Sequence, residues 1–346
     1  MDQRIVTDAP YSIVSDAMDA RERYDRLSSR KEFIEKTVLS PEHCSAQYTK
    51  IVIVIGESSI SDHMSIFGYP KITTPFLEES RPYIFDALAP SNQTRHSLAM
   101  MLTVASAGDF DRFYSELSLV SQFRSCGYQT LWISNQGRIG KHDSFSTSLA
   151  SEANETLFLN DLSYAEAKSD SRIVAELSKR GFFQRKHHVT FIHLMGSHID
   201  YNKRYPTGFG SQNISNIIDE YDNSLLYTDT IISDLYRRFY DKNMLFIYLS
   251  DHGEVVTNER FGHGFFPGYI EEFRIPLIIW TYDCNAISKL ISAIGDQKLN
   301  MNSFGNLVQF LVGKTDHSSI STIDRVSVLD PEVTTAYRDL KSIKDR

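Results

Sequence analysis

Metal-ligating side chains follow several short apolar segments of this sequence. Glu57, His198 and the pair Asp251-His252 each come shortly after a run of β-branched or aromatic residues. In open α/β sheets, ligands bind beyond the carboxyl ends of the strands. Carboxylates and imidazoles at such positions are hard or borderline ligands for a divalent metal ion. Each residue alone is typical of an ordinary turn or loop, but three such ends in one sheet favour a metal site.

A further histidine, His263, lies between two glycines in the segment Phe261–Gly264. The glycines let the backbone come close to a ligand and free the imidazole to point inward. A surface loop with an incidental histidine explains this pattern equally well, so the pattern leaves both interpretations open. For Asp62 and His63, we favour the start of a helix that packs on the sheet over a ligand role.

The side chain best placed to act as a nucleophile is Thr94, in the polar segment Ser91–Ser97 that precedes apolar residues 98–102. A polar stretch leading into a helix offers an N-cap and unpaired backbone amides, which suit an anion such as phosphate. From position alone, a helix cap at Thr94 or Ser97 is the commoner explanation. We expect Cys126 to be a small core residue, because it precedes an apolar run and lies at the wrong end of the expected strand.

These side chains must be positioned by strands and helices that alternate along the chain. Five short apolar runs have the composition of buried strands in a mainly parallel sheet. The runs are 51–55, 130–133, 189–194, 245–249 and 276–280. Between them, Ile217–Phe239 carries apolar residues at helical spacing. This alternation predicts a layered α/β domain.

The composition is that of a globular chain. Its 346 residues are 41% hydrophobic and 12% aromatic, which is too apolar for a disordered protein. A total of 36 Lys and Arg against 44 Asp and Glu gives a net charge of -8, which argues against nucleic-acid binding through a basic face. The longest clean apolar run, Ile51–Ile55, is far shorter than the roughly 18 residues of a membrane span, and no signal-peptide pattern is visible. We therefore expect a soluble domain with no nucleic-acid partner.

The first 47 residues differ in composition and residue pattern from the rest of the chain. They are dense in charge between Asp16 and Lys36, with loosely helical spacing of apolar residues, which indicates a surface helix or a connecting arm. From Tyr48 onward the alternating pattern begins, so we expect residues 48–346 to form one domain. The cysteines have no CxxC spacing, which argues against a thiolate zinc site and leaves the redox compartment open. They are Cys44, Cys126 and Cys284.

Taken in order, these segments resemble the phosphoethanolamine transferases, bacterial envelope enzymes of the sulfatase and alkaline phosphatase superfamily that include the proteins conferring colistin resistance. The matching segments are Ile55–Ser58, Gly68–Pro70, Thr73–Leu77, Gln93–Leu98, Trp132–Gln136, His193–His198, Tyr221–Asp229, Ser250–Glu254 and His263–Gly264. The ordered combination is specific, although no single segment is. The resemblance implies an α/β three-layer sandwich with a mainly parallel central sheet, as in alkaline phosphatase and the sulfatases.

The same resemblance implies a zinc site, with manganese as the less expected metal. The ligands correspond to Glu57, Thr94, Asp251 and His252. Thr94 corresponds to the threonine that becomes phosphoethanolaminated, which would make it the site of a covalent intermediate. His198 and His263 correspond to histidines that handle the phosphate or a second zinc ion. Sulfatases instead need a Cys/Ser-x-Pro-x-Arg motif, which this sequence lacks, so sulfate ester hydrolysis is not expected.

The activity implied by the resemblance is transfer of phosphoethanolamine from phosphatidylethanolamine to a hydroxyl or phosphate of an envelope glycan, either lipid A or a core sugar of lipopolysaccharide. Family members act at the periplasmic face of the inner membrane and carry an N-terminal bundle of membrane helices. We expect residues 1–47 to be the arm that follows this bundle and residues 48–346 to be the excised catalytic domain. Lipid A-modifying members tend to have cysteine beside the nucleophile, whereas Ser91-Asn92-Gln93 stands there in this chain. This difference favours a branch with another glycan acceptor.

Three alternatives stay open from the sequence. Water could replace the glycan as acceptor, which would make the protein a metal-dependent phosphodiesterase or phosphatase. The donor could instead supply phosphoglycerol, as in manganese enzymes of the lipoteichoic-acid type. The third alternative is a glycan- or lipid-binding module on a decayed transferase fold. The intact set of metal-ligating residue types argues against decay, because drift would have removed at least one of them.

Overall fold

A computed structural model describes residues 9–37, 48–137, 144–160, 169–210, 214–295, 297–316, 318, 320 and 325–345. Its centre is an eight-stranded sheet. The strands of this sheet are β1 (Lys50–Gly56), β2 (Tyr83–Leu88), β3 (Gln129–Gly137), β4 (Glu155–Asn160), β5 (His188–His193), β6 (Met244–Ser250), β9 (Arg274–Trp280) and β10 (Leu299–Asn300). Their order across the sheet is β10-β2-β9-β6-β1-β5-β3-β4. Two small hairpins pair β7 (Val255–Val256) with β8 (Phe261–Gly262) and β11 (Arg325–Val328) with β12 (Asp330–Ala336).

Most neighbouring strands of the central sheet are parallel. β1 pairs in parallel with β5 and β6, and β3 pairs in parallel with β4 and β5. β9 runs antiparallel to both β2 and β6. The carboxyl ends of β1, β3, β5 and β6 therefore meet at one edge of the sheet. All five predicted strands belong to this sheet, which confirms the predicted α/β class with a mainly parallel sheet.

Helices cover the sheet on both sides. They are α1 (Ala9–Lys36), α2 (Pro75–Ser80), α3 (Thr94–Leu102), α4 (Arg112–Ser115), α5 (Leu119–Ser125), α6 (Ser144–Ser151), α7 (Ser171–Lys179), α8 (Ile217–Phe239), α9 (Cys284–Ile294) and α10 (Phe304–Leu311). The bounds of α8 are those of the predicted helix. Its start is fixed by the side chain of Asn216, which accepts the backbone N–H of Asp219 at 3.0 Å.

The strands at the centre are buried on both faces. In β1, Ile51, Ile53 and Ile55 belong to one hydrophobic cluster, which includes residues of α3, α5, α9 and α10. The alternate residues Val52 and Val54 belong to a second cluster, which includes residues of α2, α7 and α8. Because successive side chains of a strand point to opposite faces, one continuous apolar run serves both clusters. The result is the predicted three-layer arrangement.

The arm predicted over residues 1–47 contains α1, whose C-terminal half packs on the body of the domain. Arg30 of α1 is fully buried, and its Nη2 donates to Oε1 of Glu152 at 2.6 Å. Its Nη1 donates to the backbone oxygen of Glu116 at 2.9 Å. A buried guanidinium requires this pairing because an unpaired buried charge is costly. Within the described ranges, no helix combines the length and apolar composition needed to cross a bilayer. Cys44 lies outside the described residues.

Candidate active site

The ends of β1 and β6 place three acidic and imidazole side chains next to each other. Gly56 pairs with Ser250 in the last register position of the two strands, so Glu57 and Asp251 leave the sheet side by side. The side chains of Glu57, Asp251 and His252 are fully buried there. Because neighbouring parallel strands end at the same edge, strand pairing alone brings together residues that are almost two hundred positions apart.

Thr94 completes this group from the first turn of α3. The imidazole Nε2 of His252 lies 3.3 Å from Oε1 of Glu57, 3.3 Å from Oδ2 of Asp251 and 3.3 Å from Oγ1 of Thr94. The Thr94 hydroxyl donates to Oε2 of Glu57 at 3.2 Å. Four side chains therefore direct oxygen or nitrogen atoms toward one another. The helix-cap explanation for Thr94 is wrong, because Gln93 is the N-cap residue of α3 and no side chain caps this helix.

The spacing of these atoms fits a divalent metal ion. Ligands bonded at about 2.0–2.1 Å in tetrahedral geometry stand about 3.3 Å apart, which is the separation found around His252. In addition, Oδ2 of Asp251 is buried and accepts no hydrogen bond. A buried carboxylate oxygen without a donor is costly unless a cation takes that place. The donor set of carboxylate, imidazole and hydroxyl is one that binds borderline divalent metals.

The charges in this cluster lead to the same conclusion. Burial, together with the nearby charge of Glu57, raises the pKa of Asp251 to about 7. Burial opposes the charged form of His252, but Asp251 and Glu57 outweigh it and raise the pKa of His252 to about 10. Burial also disfavours the Glu57 carboxylate, yet His252 holds the pKa of Glu57 well below its usual range. Two buried carboxylates thus demand positive charge, which a bound metal ion would supply.

His263 and His198 form the outer part of the same site. The ligand atoms of Glu57, His252 and His263 all lie within 4.8 Å of one another, and the rings of His252 and His263 are 4.0 Å apart. The rings of His263 and His198 are 5.9 Å apart. Burial lowers the pKa of His198 below its ordinary value, which favours its neutral form. The structure thus brings all six predicted site residues together; their individual roles stay predictions.

Two residues that orient this site were missed from the sequence. Nε2 of Gln136 donates to Oε2 of Glu57 at 2.8 Å and to the backbone oxygen of Leu194 at 3.0 Å. Oε2 of Glu254 lies 2.7 Å from Nδ1 of His263. We assign the ring proton of His263 to Nδ1, which leaves Nε2 for a metal or a reacting group. Both residues carried a weak signal, since Gln136 follows an apolar run and Glu254 stands in the same turn as Asp251.

The loop that carries His198 is held by a third missed residue, Asp170. Its carboxylate accepts the backbone N–H groups of Met195 and Gly196, both at 2.9 Å. Gly196 has a φ of +52°, and a Cβ at this position would lie 2.7 Å from the backbone nitrogen of Glu57. Glycine is therefore required here both for the left-handed backbone and for the close approach of the loop to Glu57.

Asp62 and His63 lie outside the metal cluster, in a 3₁₀ turn at Ser61–His63. Oδ2 of Asp62 accepts from Arg274 at 2.8 Å. Nδ1 of His63 lies 2.8 Å from Oδ1 of Asp222, which is on α8. These partners hold the turn against the sheet and α8, so the two residues serve packing, in line with the interpretation favoured from the sequence.

Ser97 and Cys126 also have structural partners. The Ser97 hydroxyl donates to the backbone oxygen of Asp251 at 2.5 Å and accepts from Ser224 at 2.8 Å. Ser97 thus ties α3 to the turn that carries Asp251. Cys126 is disulfide-bonded and does not offer a thiolate, whereas Cys284 is a free, exposed thiol. Cys126 also packs, partly buried, against the hydrophobic cluster that includes α3, α5, α9 and α10, in line with the expected small core residue.

Comparisons with known proteins identify relatives of the whole domain. Residues 49–293 match the family model described as Sulfatase. Phosphoethanolamine transferase EptC of Escherichia coli K12 is 25% identical over 305 residues, which cover 79% of this chain and 52% of EptC. Phosphoethanolamine transferase OpgE of the same strain is 30% identical over 293 residues, which cover 79% of this chain and 52% of OpgE. The chain therefore spans about half the length of these relatives.

A solved structure extends the likeness to the fold. The crystal structure of the C-terminal periplasmic domain of EptC from Escherichia coli, in complex with Zn, superposes with a TM-score of 0.73. The match covers 85% of this chain and 93% of that chain, at 22% identity. The TM-score of 0.73 establishes a common fold and, with the Sulfatase family match, confirms the expected sulfatase-like and alkaline phosphatase-like architecture.

Proposed function

The chain belongs to the sulfatase family, and from that premise we propose that it is a zinc-dependent phosphoethanolamine transferase. The observation that carries this proposal is the position of the Thr94 hydroxyl, 3.2 Å from Glu57 and 3.3 Å from His252 at the start of α3. A nucleophilic oxygen that shares a metal cradle is suited to attack on phosphorus. Threonine at this position, together with relatives named phosphoethanolamine transferases, favours phosphoryl transfer over sulfate ester hydrolysis.

The metal centre consists of Glu57, Thr94, Asp251 and His252. When bound, zinc lowers the pKa of a hydroxyl that contacts it and neutralises charge on phosphate oxygens. Thr94 is suited to be the reacting hydroxyl because its Oγ1 lies 3.2 Å from Oε2 of Glu57, a carboxylate oxygen that can accept its proton. Thr94 is also the first residue of α3, so the backbone amides of the first helical turn and the positive end of the helix dipole lie beside it. Such amides stabilise the negative charge that develops on phosphate oxygens during transfer.

The reaction proceeds in two half-reactions at Thr94. In the first, Oγ1 of Thr94 loses its proton and bonds to the phosphorus of phosphatidylethanolamine, the bond from phosphorus to the glycerol oxygen breaks, and that oxygen takes up a proton, so that diacylglycerol leaves as the neutral alcohol. In the second, an acceptor hydroxyl loses its proton and bonds to phosphorus, and the bond to Oγ1 breaks with return of a proton to Thr94. Two displacements at one nucleophile predict ping-pong kinetics.

His263 and His198 supply and take up the protons of these steps. Nδ1 of His263 contacts Glu254, so Nε2 is the nitrogen that would take up the proton released by Thr94 and pass it to the leaving glycerol oxygen. His198 is neutral at neutral pH because burial lowers its pKa, which suits it to accept a proton from the acceptor hydroxyl. The centroids of the two rings are only 5.9 Å apart, so both imidazoles can reach the same phosphate group or the same second zinc ion.

The donor, the acceptor and the cellular location follow from this assignment. We propose phosphatidylethanolamine as donor, and as acceptor a hydroxyl or phosphate of lipopolysaccharide, either in lipid A or in the core sugars. We propose that the domain, residues 48–346, works at the periplasmic face of the bacterial inner membrane. Residues 1–47 would connect it to a membrane region. The close packing of Arg30 against Glu152 supports an arm whose end is fixed on the domain.

Mass analysis of the Thr94 peptide tests this function. The zinc-loaded protein is incubated with phosphatidylethanolamine and, separately, with phosphatidylglycerol, and then digested. We expect one added phosphoethanolamine group on the Thr94 peptide with the first lipid and no addition in a Thr94→Ala variant. A phosphoglycerol adduct would instead identify the phosphoglycerol transferase, and release of free phosphoethanolamine without an acceptor would identify a phosphodiesterase. An unmodified peptide and intact lipids would overturn a catalytic function.

A further inference from the structure

Ser58, the residue after Glu57, has an unusual backbone conformation. It is fully buried and has a φ of +56°, in the left-handed region that favours glycine. A side chain in this region is strained, and such strain persists only where the surroundings impose it. Glycine would adopt the same backbone without strain. The presence of serine therefore requires an explanation in what its hydroxyl and its amide contact.

Ser58 contacts three side chains of the proposed site. Its backbone N–H donates to Oδ1 of Asp251 at 3.1 Å. Its hydroxyl donates to Oε1 of Glu57 at 2.8 Å. The hydroxyl oxygen of Ser58 also lies 3.4 Å from Nδ1 of His263. One residue thus touches two of the proposed metal ligands and the adjacent histidine, without being a ligand itself.

Together with Gln136, Ser58 fixes the orientation of the Glu57 carboxylate. Oε1 faces His252 on its inner side and accepts from Ser58 on its outer side. Oε2 accepts from Thr94 on its inner side and from Gln136 on its outer side. Each oxygen therefore has one partner away from the metal position and one beside it. A carboxylate held this way cannot rotate without losing a buried hydrogen bond, which costs free energy.

Ser58 is in turn clamped by α8. The phenol of Tyr221, fully buried on α8, donates to the backbone oxygen of Ser58 at 2.6 Å. The same phenol oxygen accepts the backbone N–H of Ile60 at 3.0 Å. Tyr221 thereby spans the left-handed residue and stabilises its conformation from both sides. The strained turn is part of a rigid support and not an isolated irregularity.

We propose that Ser58 is a positioning residue for the metal cradle, which holds Glu57 and Asp251 ready to receive zinc. The inference rests on the proposed function, because it presupposes the metal site. Substitution of a residue that hydrogen-bonds a metal ligand typically weakens metal affinity ~10–100-fold. A role in positioning and a role in folding predict different effects at this residue. Loss of the hydroxyl should weaken zinc binding, whereas relief of the left-handed strain by glycine should not lower stability.

Zinc affinity measured by competition with a chelator tests the proposal in three variants of the full chain. We expect Ser58→Gly and Ser58→Ala to raise the zinc Kd ~10–100-fold. Ser58→Gly removes the strain, so its metal-free form should melt at or above the wild-type temperature. Ser59→Ala is the matched control, because Ser59 is equally buried and accepts from Tyr248 at 3.0 Å but contacts Glu57 only at the backbone oxygen. Its zinc Kd should equal that of the wild type, even where its stability falls.

The outcomes separate the two proposals. Tight zinc binding by the wild-type protein with an unchanged Kd in Ser58→Gly overturns the positioning role alone and leaves the proposed function standing. Equal losses of zinc affinity in Ser58→Gly and Ser59→Ala also overturn it, because lost packing and not the lost Ser58 hydroxyl would then explain the weaker zinc binding. Absence of zinc binding by the wild-type protein overturns the positioning role and the proposed function together. If Ser58→Ala fails to fold, the strain-free Ser58→Gly variant decides.

Discussion

The hydroxyl oxygen of Thr94 lies 3.3 Å from Nε2 of His252, although the two residues are 158 positions apart in the chain. Thr94 comes from the first turn of α3 and His252 from the turn after β6. Ser97 fixes the two elements relative to each other, because its hydroxyl donates to the backbone oxygen of Asp251 at 2.5 Å. The proposed nucleophile is therefore oriented toward the metal cradle by the fold itself.

The metal assignment predicts that Asp251→Ala loses zinc. Oδ2 of Asp251 is buried, accepts no hydrogen bond and lies 3.3 Å from Nε2 of His252, so a metal ion bound by both atoms would satisfy it. The purified wild-type protein should hold at least one zinc ion per chain by elemental analysis. Asp62→Ala is the control, because Asp62 pairs with Arg274 and lies outside the cluster. Full zinc occupancy in Asp251→Ala would remove Asp251 from the ligand set.

Alanine substitutions at two glycines should have very different effects, because Gly196 lies in the loop after β5 and contacts Glu57, whereas Gly181 lies before β5. Gly196 and Gly181 both have positive φ, +52° and +69°, so alanine at either position costs about 1–2 kcal/mol in backbone strain. At Gly196 the new Cβ would also lie 2.7 Å from the backbone of Glu57, whereas at Gly181 the nearest atom is 3.8 Å away. We expect Gly196→Ala to lower both the melting temperature and the zinc affinity, and Gly181→Ala to lower only the former. Equal zinc affinity in the two variants would show that the loop does not position Glu57.

A buried histidine far from the metal cluster predicts how stability depends on pH. Burial, with a smaller contribution from Arg185, lowers the pKa of His188 from 6.5 to about 4. Between these two values the unfolded chain binds the proton and the folded protein does not, so the free energy of unfolding rises with pH in this window. His188 alone should raise the free energy of unfolding by about 2 kcal/mol between pH 5 and pH 7.

Denaturant unfolding at pH 5 and pH 7 checks this value. The increase in the free energy of unfolding from pH 5 to pH 7 should be smaller in His188→Gln by about 2 kcal/mol. His187→Gln is the matched control, because His187 is exposed to water in the folded protein as in the unfolded chain. A pH dependence that is unchanged in His188→Gln would mean that the folded protein accommodates the charged ring.

Much of the fold could be predicted because its central strands are buried on both faces. Runs such as Ile51–Ile55 then contain only apolar residues, and the helical spacing of Ile217–Phe239 reproduces the bounds of α8. β2, β4 and β10 were not predicted. β4 has mostly half-buried residues and β10 has only two residues, so neither carries a strong apolar pattern. These strands depend on pairing with the rest of the sheet more than on their own sequence.

The ligand types of the site could also be predicted, because they directly follow strands whose ends meet. The supporting contacts could not be predicted, because most of them join residues that are distant in sequence and individually unremarkable in type. Gln136 reaches Glu57 across 79 positions, and the amide of Ser58 reaches Asp251 across 193. Asp170 has no motif of its own and acts by accepting two backbone N–H groups. Such roles depend on the register of neighbouring strands, which composition alone does not specify.

In the proposed reaction Thr94 bonds to phosphorus, and the rate of phosphoethanolamine transfer by Thr94→Ala tests this step. Melting temperature and zinc content are measured on the same samples, with Thr94→Ser and Ser97→Ala as companions. We expect Thr94→Ala to be folded, to retain zinc through Glu57, Asp251 and His252, and to lose transfer by several orders of magnitude. Thr94→Ser should keep part of the activity, because it keeps a hydroxyl.

Ser97→Ala should reduce transfer only mildly, because Ser97 contacts the backbone of the site and not the metal position. We predict a folded, zinc-loaded and inactive Thr94→Ala protein. A folded, zinc-loaded Thr94→Ala protein that transfers phosphoethanolamine at nearly the wild-type rate would contradict this prediction.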